Sequence, residues 1–382
     1  MNFSLTPEQD AIQQKARVAA QEVKARARDY DRQGRFPQEI LEIWAREGFF
    51  GVSLPREYGG RGGDYISYAL AQMELAQACP SSALMLHVNH AIVGMGFSLF
   101  GTADQKRRFL PPMARGEVLA AFALTEPQAG SDPARLQTAA SREGDGWVLS
   151  GEKNFVSSGQ AAHFALVAAR SDLQAAPHKG ISLFIVDLKK TPGVKVGAVE
   201  EKMGLVGAPS VSLHFDRAPL PPDAVLGEAN NGLKLALALM DHARVGAAAI
   251  AVGVGRAALS EALKYARSRE QFGQPLAQFQ AIQWKLADLA TDLEAASLLT
   301  LKAAWLKDQG RPFTAAAAMA KKFATDTAMA AAQEGLQILG GYGYLKDYPL
   351  ERLFRDARAG QIYEGTNEIM RLIIARDLLK GE

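Results

Sequence analysis

Five short segments of the sequence carry residue types that could do chemistry. In Gln361, Ile362, Tyr363, Glu364, Gly365, Thr366, Asn367, Glu368, Ile369, an acid sits between an aromatic residue and a glycine just ahead of a helix start. Desolvation there raises a carboxyl pKa and suits a general base, while the helix N-terminus pulls the other way. Glu364 and Glu368 read equally as acids that complement the helix dipole. In Arg267, Ser268, Arg269, Glu270, Gln271, Phe272, Gly273, Gln274, Pro275, an arginine fork in a helix-to-helix loop suits the bidentate demand of a diphosphate, or simply caps a helix. From Phe122 and Leu124 through Thr125 to Ser131 and Asp132, an apolar strand runs into a Pro/Gly/Ser/Asp loop. Hydroxyls beside an apolar wall suit a flat aromatic ring with polar edges. Phe155 and Ser157, two residues apart, share a side of the chain if it is extended. Gln337, Gly340, Gly341 and Tyr342 mark either a tight turn or a close backbone approach to a ligand.

Other patterns argue for packing. Gly253 to Ala258 fits GxGxxA, but it lies in an alanine-rich helical stretch with no βαβ texture, so close helix packing is expected. His87 and His90 could share a helix face, yet no third metal ligand lies near, and a packing or pocket-lining role is expected. No metal site is read, and the absence of a GxSxG elbow argues against a serine triad. The 43 Lys plus Arg against 41 Asp plus Glu leave a net charge of +2, far from the basic excess of a nucleic-acid binder. The lone Cys79 points to a reducing compartment. No signal peptide is read at the N-terminus, and the longest run of apolar residues and glycine, Val245 to Gly255, falls short of the ~20 residues that span a bilayer.

Positioning these segments takes more than one core, since 382 residues exceed the roughly 150 of one ordinary domain. The texture is α+β in three parts. Residues 1–116 read as an all-α domain, with capping boxes at Thr6–Gln9 and Thr102–Gln105 and a helix opening at Pro37. Residues 117–228 carry five β-type runs, Gly146 to Ser150, Phe164 to Ala169, Ile181 to Val186, Val194 to Val199 and Val211 to Phe215. Without long helices between them, these predict an antiparallel, barrel-like sheet. Residues 229–382 return to helical periodicity, with breaks at Arg269 to Pro275, Gly310 to Pro312 and Gly340 to Pro349, enough for a four-helix bundle and a terminal helix from Asn367 to Leu379.

Taken together, LTEPQAGSD, EKNFVSSG, RSREQFG, QILGGYGY and QIYEGTNEI resemble the acyl-CoA dehydrogenase family over essentially the whole chain. The resemblance implies an FAD enzyme that oxidises an acyl-CoA thioester to the trans-2-enoyl-CoA and hands electrons to an electron-transfer flavoprotein. Glu364 matches the base that takes the α-proton as the β-hydrogen leaves as hydride. In the family the base's own amide and a flavin hydroxyl polarise the thioester carbonyl. Some branches carry the base where this sequence has Ala243, which cannot act as one. Phe122, Leu124, Thr125 and Ser131 match one flavin contact, Ser131 also lying near CoA; Phe155 and Ser157 match a second, where Trp and Thr are more usual. Arg269, Phe272, Gln280, Gln337, Gly340 and Gly341 match residues that reach the FAD of a neighbouring subunit, which implies a homotetramer built as a dimer of dimers. Thr366 and Glu368 match further cofactor contacts. Asp241, Arg244, Tyr363, Gly365 and Arg376 match the substrate side.

In the glutaryl-CoA branch of the family this segment supplies an arginine for a distal carboxylate; here Leu75 to Gln105 holds no Lys or Arg, so the resemblance disfavours a dicarboxylic acyl tail, and Leu84 to Val93, with His87, Asn89 and His90, looks more like short- and branched-chain members. An acyl-CoA oxidase or a non-catalytic binding member of the same family are the alternatives. A cytoplasmic location is expected, or the mitochondrial matrix in a eukaryote, with neither membrane nor nucleic acid as partner.

Overall fold

The computed structural model describes residues 4–380. Residues 1–3, part of the N-terminal signal reading, and 381–382, the end of the third predicted domain, lie outside the described residues.

The first domain begins as its capping box predicts. Thr6 accepts from the Gln9 amide, the Gln9 side chain accepts from Thr6 N–H, and α1 (Pro7–Gln33) follows. Next come α2 (Gln38–Arg46), α3 (Tyr65–Ala78) capped by Asp64, and α4 (Pro80–His87). A wide π-helical turn, Val88–Gly94, leads into α5 (Met95–Phe100). Such turns displace side chains from the regular helical register and recur at functional sites. The second capping box, at Thr102, opens α6 (Ala103–Ala114).

Eight strands form the middle sheet: β1 (Ala120–Ala123), β2 (Ala139–Glu143), β3 (Gly146–Ser157), β4 (Phe164–Arg170), β5 (Ile181–Asp187), β6 (Val194–Val199), β7 (Ser210–Leu220) and β8 (Val225–Leu226). Their order is β6-β7-β3-β2-β4-β5-β8, with β1 on β4. The all-antiparallel expectation needs correction, because β1 and β2 both pair parallel to β4. Parallel pairing requires a long return, and the β2–β3 hairpin supplies it between β1 and β4. Phe164, Leu166 and Ala168 face the main helical core, while Ala165, Val167 and Ala169 face a second core inside the sheet. A strand buried on both faces reads as one apolar run, hence the clarity of this segment in sequence.

The alternation assigned to Phe155 and Ser157 also fails. The β3–β7 register shifts between Lys153 and Val156, Phe155 takes φ 54°, and its ring is 67% exposed beside the buried Val156. An extra residue in one strand twists it and re-aims its side chains.

The third domain consists of α7 (Gly232–Ser268), a β9–β10 hairpin (Glu270–Gln271 and Gln274–Pro275), α8 (Gln280–Asp308), α9 (Thr314–Leu339), α10 (Leu350–Gly360) and α11 (Asn367–Leu378). Helix α7 packs against α8, α9 and also α3. A Cβ on Gly253 would stand 2.5 Å from the Met73 carbonyl oxygen, and one on Gly255 2.5 Å from Leu293 Cδ2. The GxGxxA pattern thus serves close helix packing. Pro80–Phe100 and Gly232–Ser268 are long and apolar enough to cross a membrane, but 83% of each apolar window is buried within the protein.

Candidate active site

The turn between α10 and α11 carries Glu364. Glu364 and Gly365 take successive left-handed conformations, φ 56° and 92°. A non-glycine residue held there is strained, and strain of this kind persists only where its surroundings enforce it. Helix α9 supplies the enforcement. Lys321 Nζ donates to the Gly365 carbonyl at 2.8 Å and to Asn367 Oδ1 at 3.0 Å, and Asn367 Nδ2 donates to Thr325 Oγ1 and Asp326 Oδ1. Thr366 caps α11 by accepting from Ile369 N–H, while Glu368 is exposed and bonds Arg371. The dipole-complementing role therefore fits Glu368, whose carboxyl is lowered at this helix start, and not Glu364.

The Glu364 side chain is only 8% exposed. Its Oε1 lies 2.5 Å from His87 Nε2, and His87 Nδ1 lies 2.7 Å from the Tyr68 hydroxyl. Its Oε2 is buried without a partner among the described residues. Arg244 and Lys321 both feel the charge of Glu364; burial pulls Lys321 down to about 8 and lowers Arg244, and the carboxylate opposes both shifts. Burial together with the charge of Glu364 holds the neighbouring Tyr363 hydroxyl well above its ordinary range. His87 had been expected only to pack or line a pocket; the signal available in sequence was its place in a stretch free of Lys and Arg.

Asp241 and Arg244 pair across one turn of α7 at 2.6 Å, and Thr314 Oγ1 donates to Asp241 Oδ2. Arg244 Nε is buried and has no partner among the described residues. A buried guanidinium with a spare donor fits an anionic or carbonyl-bearing ligand. Arg376 lies apart on the exposed side of α11.

In the sheet, Phe122, Leu124 and Thr125 are half-buried at the end of β1, and Ser131 is exposed on the loop beyond. Glu126 and Lys153, unremarked in the sequence, hold this loop on β3. Lys153 Nζ donates to Glu126 Oε1 at 2.6 Å and to the Leu124 carbonyl at 3.1 Å, and Asn154 N–H donates to the Thr125 carbonyl. Phe155 and the half-buried Ser157 follow directly on that strand.

A second group gathers at the other end of α9. Arg269, Gly340, Gly341 and Tyr342 line a cavity of about 430 Å³ that includes none of residues 122–131 or 155–157. Arg269 makes no ion pair among the described residues and stands 5.8 Å from the Tyr342 ring centroid. A Cβ on Gly340 or Gly341 would meet nothing within 4 Å. The segment read as a plain loop is a hairpin whose tip is Phe272, φ 52°, and Gly273, φ 78°, with the Phe272 ring 94% exposed. Gln280 and Gln337 are exposed nearby in sequence, at the start of α8 and the last turn of α9. A free guanidinium, open glycine backbone and aromatic walls fit a diphosphate joined to flat rings, so the donor set fits FAD.

The sequence matches three domain families: acyl-CoA dehydrogenase N-terminal domain over residues 6–117, middle domain over 121–218 and C-terminal domain over 230–379. It is 42% identical over 376 residues to the 3-(aryl)acrylate reductase of Clostridium sporogenes, covering 98% of this chain and 99% of that one. The fold superposes on butyryl-CoA dehydrogenase from Megasphaera elsdenii with TM-score 0.97 at 39% identity, covering 100% of both chains. It superposes with TM-score 0.98 at 40% identity, again over 100% of both, on a chain from a study of the electron transferring flavoprotein of Acidaminococcus fermentans and flavin-based electron bifurcation. With all three domains matched in order and relatives about 40% identical over the full length, the chain belongs to the acyl-CoA dehydrogenase family.

Proposed function

We propose that this protein is an FAD-dependent dehydrogenase that converts a short-, medium- or branched-chain acyl-CoA to the trans-2-enoyl-CoA and passes the electrons to an electron-transfer flavoprotein. The observation that carries this reading is Glu364, a nearly buried carboxylate in a strained turn, with two cations near and one oxygen that has no partner among the described residues. Bound FAD supplies the two-electron acceptor. Glu364 removes the α-proton, and its own N–H, which donates to no backbone carbonyl among the described residues, polarises the thioester carbonyl. Tyr363 and Gly365 flank the acyl thioester, and Asp241, Arg244 and Arg376 serve the CoA side. Phe122, Leu124, Thr125, Ser131, Phe155 and Ser157 form the flavin-side wall.

Arg269, Phe272, Gln280, Gln337, Gly340 and Gly341 serve the FAD of a neighbouring subunit in a homotetramer, with Thr366 and Glu368 as further cofactor contacts. The nearly bare Phe272 ring supports that placement, as do Trp284 at 63% and Leu379 at 84% exposure. The domain limits are taken as 1–116, 117–228 and 229–382. The enzyme works in the cytoplasm, or in the matrix of mitochondria, as the buried Cys79 thiol suits.

Anaerobic addition of straight and branched acyl-CoAs to the purified yellow protein tests the reading. Bleaching of the flavin band by some of them is expected; a band that none of them bleaches would refute it. Likeness to a reductase favours a second reading, the reverse reduction of an enoyl thioester, in which protonated Glu364 returns the proton. Reoxidation of the chemically reduced enzyme by crotonyl-CoA measures that direction. Rapid oxygen uptake with substrate alone would indicate an oxidase.

A further inference from the structure

The hydrogen bonds behind Glu364 have a fixed direction. Gln72 Nε2 lies 3.4 Å from the Ala83 carbonyl, which can only accept, so the amide nitrogen of Gln72 also faces the Tyr68 hydroxyl, at 3.3 Å. Tyr68 therefore accepts from Gln72 and donates to His87 Nδ1 at 2.7 Å. That leaves the imidazole proton on Nε2, directed at Glu364 Oε1. A proton on both ring nitrogens would give the Tyr68 hydroxyl two donors and leave its own hydrogen without an acceptor among the described residues. Gln72, Tyr68 and His87 are each 0% exposed, so water cannot readily replace a member.

The backbone around the chain is shaped to admit it. A Cβ on Gly246 of α7 would stand 2.2 Å from His87 Nδ1 and 2.6 Å from the Tyr68 hydroxyl oxygen. Only glycine at 246 lets α7 pass this close. Tyr68 is held in turn by stacking on His90, ring centroids 4.6 Å apart. Three elements thus converge on one imidazole, and the imidazole makes the only hydrogen bond to the Glu364 carboxylate among the described residues.

We infer that His87 is a positioning residue of the reaction: its Nε2–H holds Glu364 by Oε1, so that Oε2 is the atom that receives the α-proton. This rests on Glu364 being the base. The Cα–H bond breaks and its proton forms an O–H bond on Oε2, while Oε1 keeps its acceptor role toward His87 in both charge states of Glu364. His87 need not gain or lose a proton; it fixes where the carboxylate points. A carboxylate free to rotate about its last torsion would present the wrong oxygen or the wrong angle, and misplacement of about 1 Å can cost roughly 100-fold in rate.

Stopped-flow reduction of the holoenzyme by butyryl-CoA, or by whichever acyl-CoA bleaches it fastest, tests this on four variants. His87→Ala is expected to lower the limiting rate by about 10- to 100-fold while half-saturation moves by less than about threefold. His87→Gln retains an N–H for Oε1 and a carbonyl for the Tyr68 hydroxyl, and is expected to return to within about threefold of the parent. Tyr68→Phe keeps the ring and removes the orienting hydroxyl, so a loss of several-fold is expected. A parent-like limiting rate in His87→Ala, or a Gln variant as slow as the Ala variant, would overturn the inference. Should His87→Ala not fold, a parent-like rate in Tyr68→Phe would overturn it instead. Glu364→Gln separates the two levels: if it still reduces flavin, the base assignment fails first, whereas an inert Glu364→Gln beside an unaffected His87→Ala removes only the role given to His87.

Discussion

Two buried carboxylates, one at the edge of the middle sheet and one in the helical part, make opposite use of the same side chain. Glu126 in the middle sheet and Glu364 in the helical part are 2% and 8% exposed, and each meets one basic residue, at 2.6 and 2.5 Å. Glu126 Oε1 accepts from Lys153 and from Thr138 N–H, and its Oε2 accepts from Gln137 N–H and Gln128 Nε2. Every lone-pair direction has a use. Among the described residues, Glu364 has one partner on one oxygen and none on the other. A fully satisfied buried acid is architecture; a buried acid with an idle oxygen keeps a site for a proton. Burial pushes Glu126 up, but Lys153 and the two amides outweigh it and leave it below the ordinary carboxylate range. Burial draws the Lys153 ammonium down to about 8, with Glu126 opposing.

The comparison breaks most sharply if the roles are exchanged by mutation. Glu364→Gln should lower substrate-driven flavin reduction by about 10³-fold or more while leaving the fold, the yellow colour and acyl-CoA binding intact, as anaerobic stopped-flow and a thermal melt would measure. Loss of folding without selective loss of rate would place Glu364 beside Glu126 as architecture. Lys153→Ala should do the reverse, costing about 3–5 kcal/mol in urea unfolding because it strands a buried charge. A variant as stable as the parent would show that the pair is no clamp.

Two buried histidines, His90 stacked on Tyr68 and His242 edge-on to Tyr65, sharpen the picture through acid. Burial first, then neighbouring charges, lowers His90 to about 4 and His242 to about 3. With folded values below the unfolded 6.5, the unfolded chain binds more protons between pH 6.5 and 4, so stability falls as pH drops through that window. Unfolding free energies from urea titrations at pH 7 and 5 should differ by roughly 2 kcal/mol for each of these histidines. A flat response would mean that these histidines charge without cost. The smallest effect concerns a cation without an acid. Arg269→Ala should weaken FAD retention by about tenfold, read by equilibrium dialysis, with unfolding of the chain unchanged. Unaltered retention would place that guanidinium outside the cofactor site.

Much of this was legible in the sequence because it is local. The capping boxes at Thr6 and Thr102 start helices where read, since a side chain bonding to an amide three residues away needs nothing else. Phe164 to Ala169 was legible because both its faces are buried. Phe155 was misplaced, since a bulge depends on the register with β7 and not on the residues of β3 alone. The parallel pairing of β1 with β4 was equally invisible, because it depends on how the β2–β3 hairpin folds back.

The sequence by itself determined the order of the three domains, the motif that contains Glu364, and the kinship that gives the motif meaning. Periodicity, capping and turn chemistry act over a few residues, and five motifs in order are too specific to arise separately. Only the tertiary structure decided that His87, 277 positions from Glu364, is its hydrogen-bond partner, that Tyr68 and Gly246 orient that histidine, and that Glu126 is fully satisfied. Contacts between residues so distant in the chain are fixed by the packing of whole helices, and a hydrogen bond has no sequence signature until packing brings its two atoms within reach.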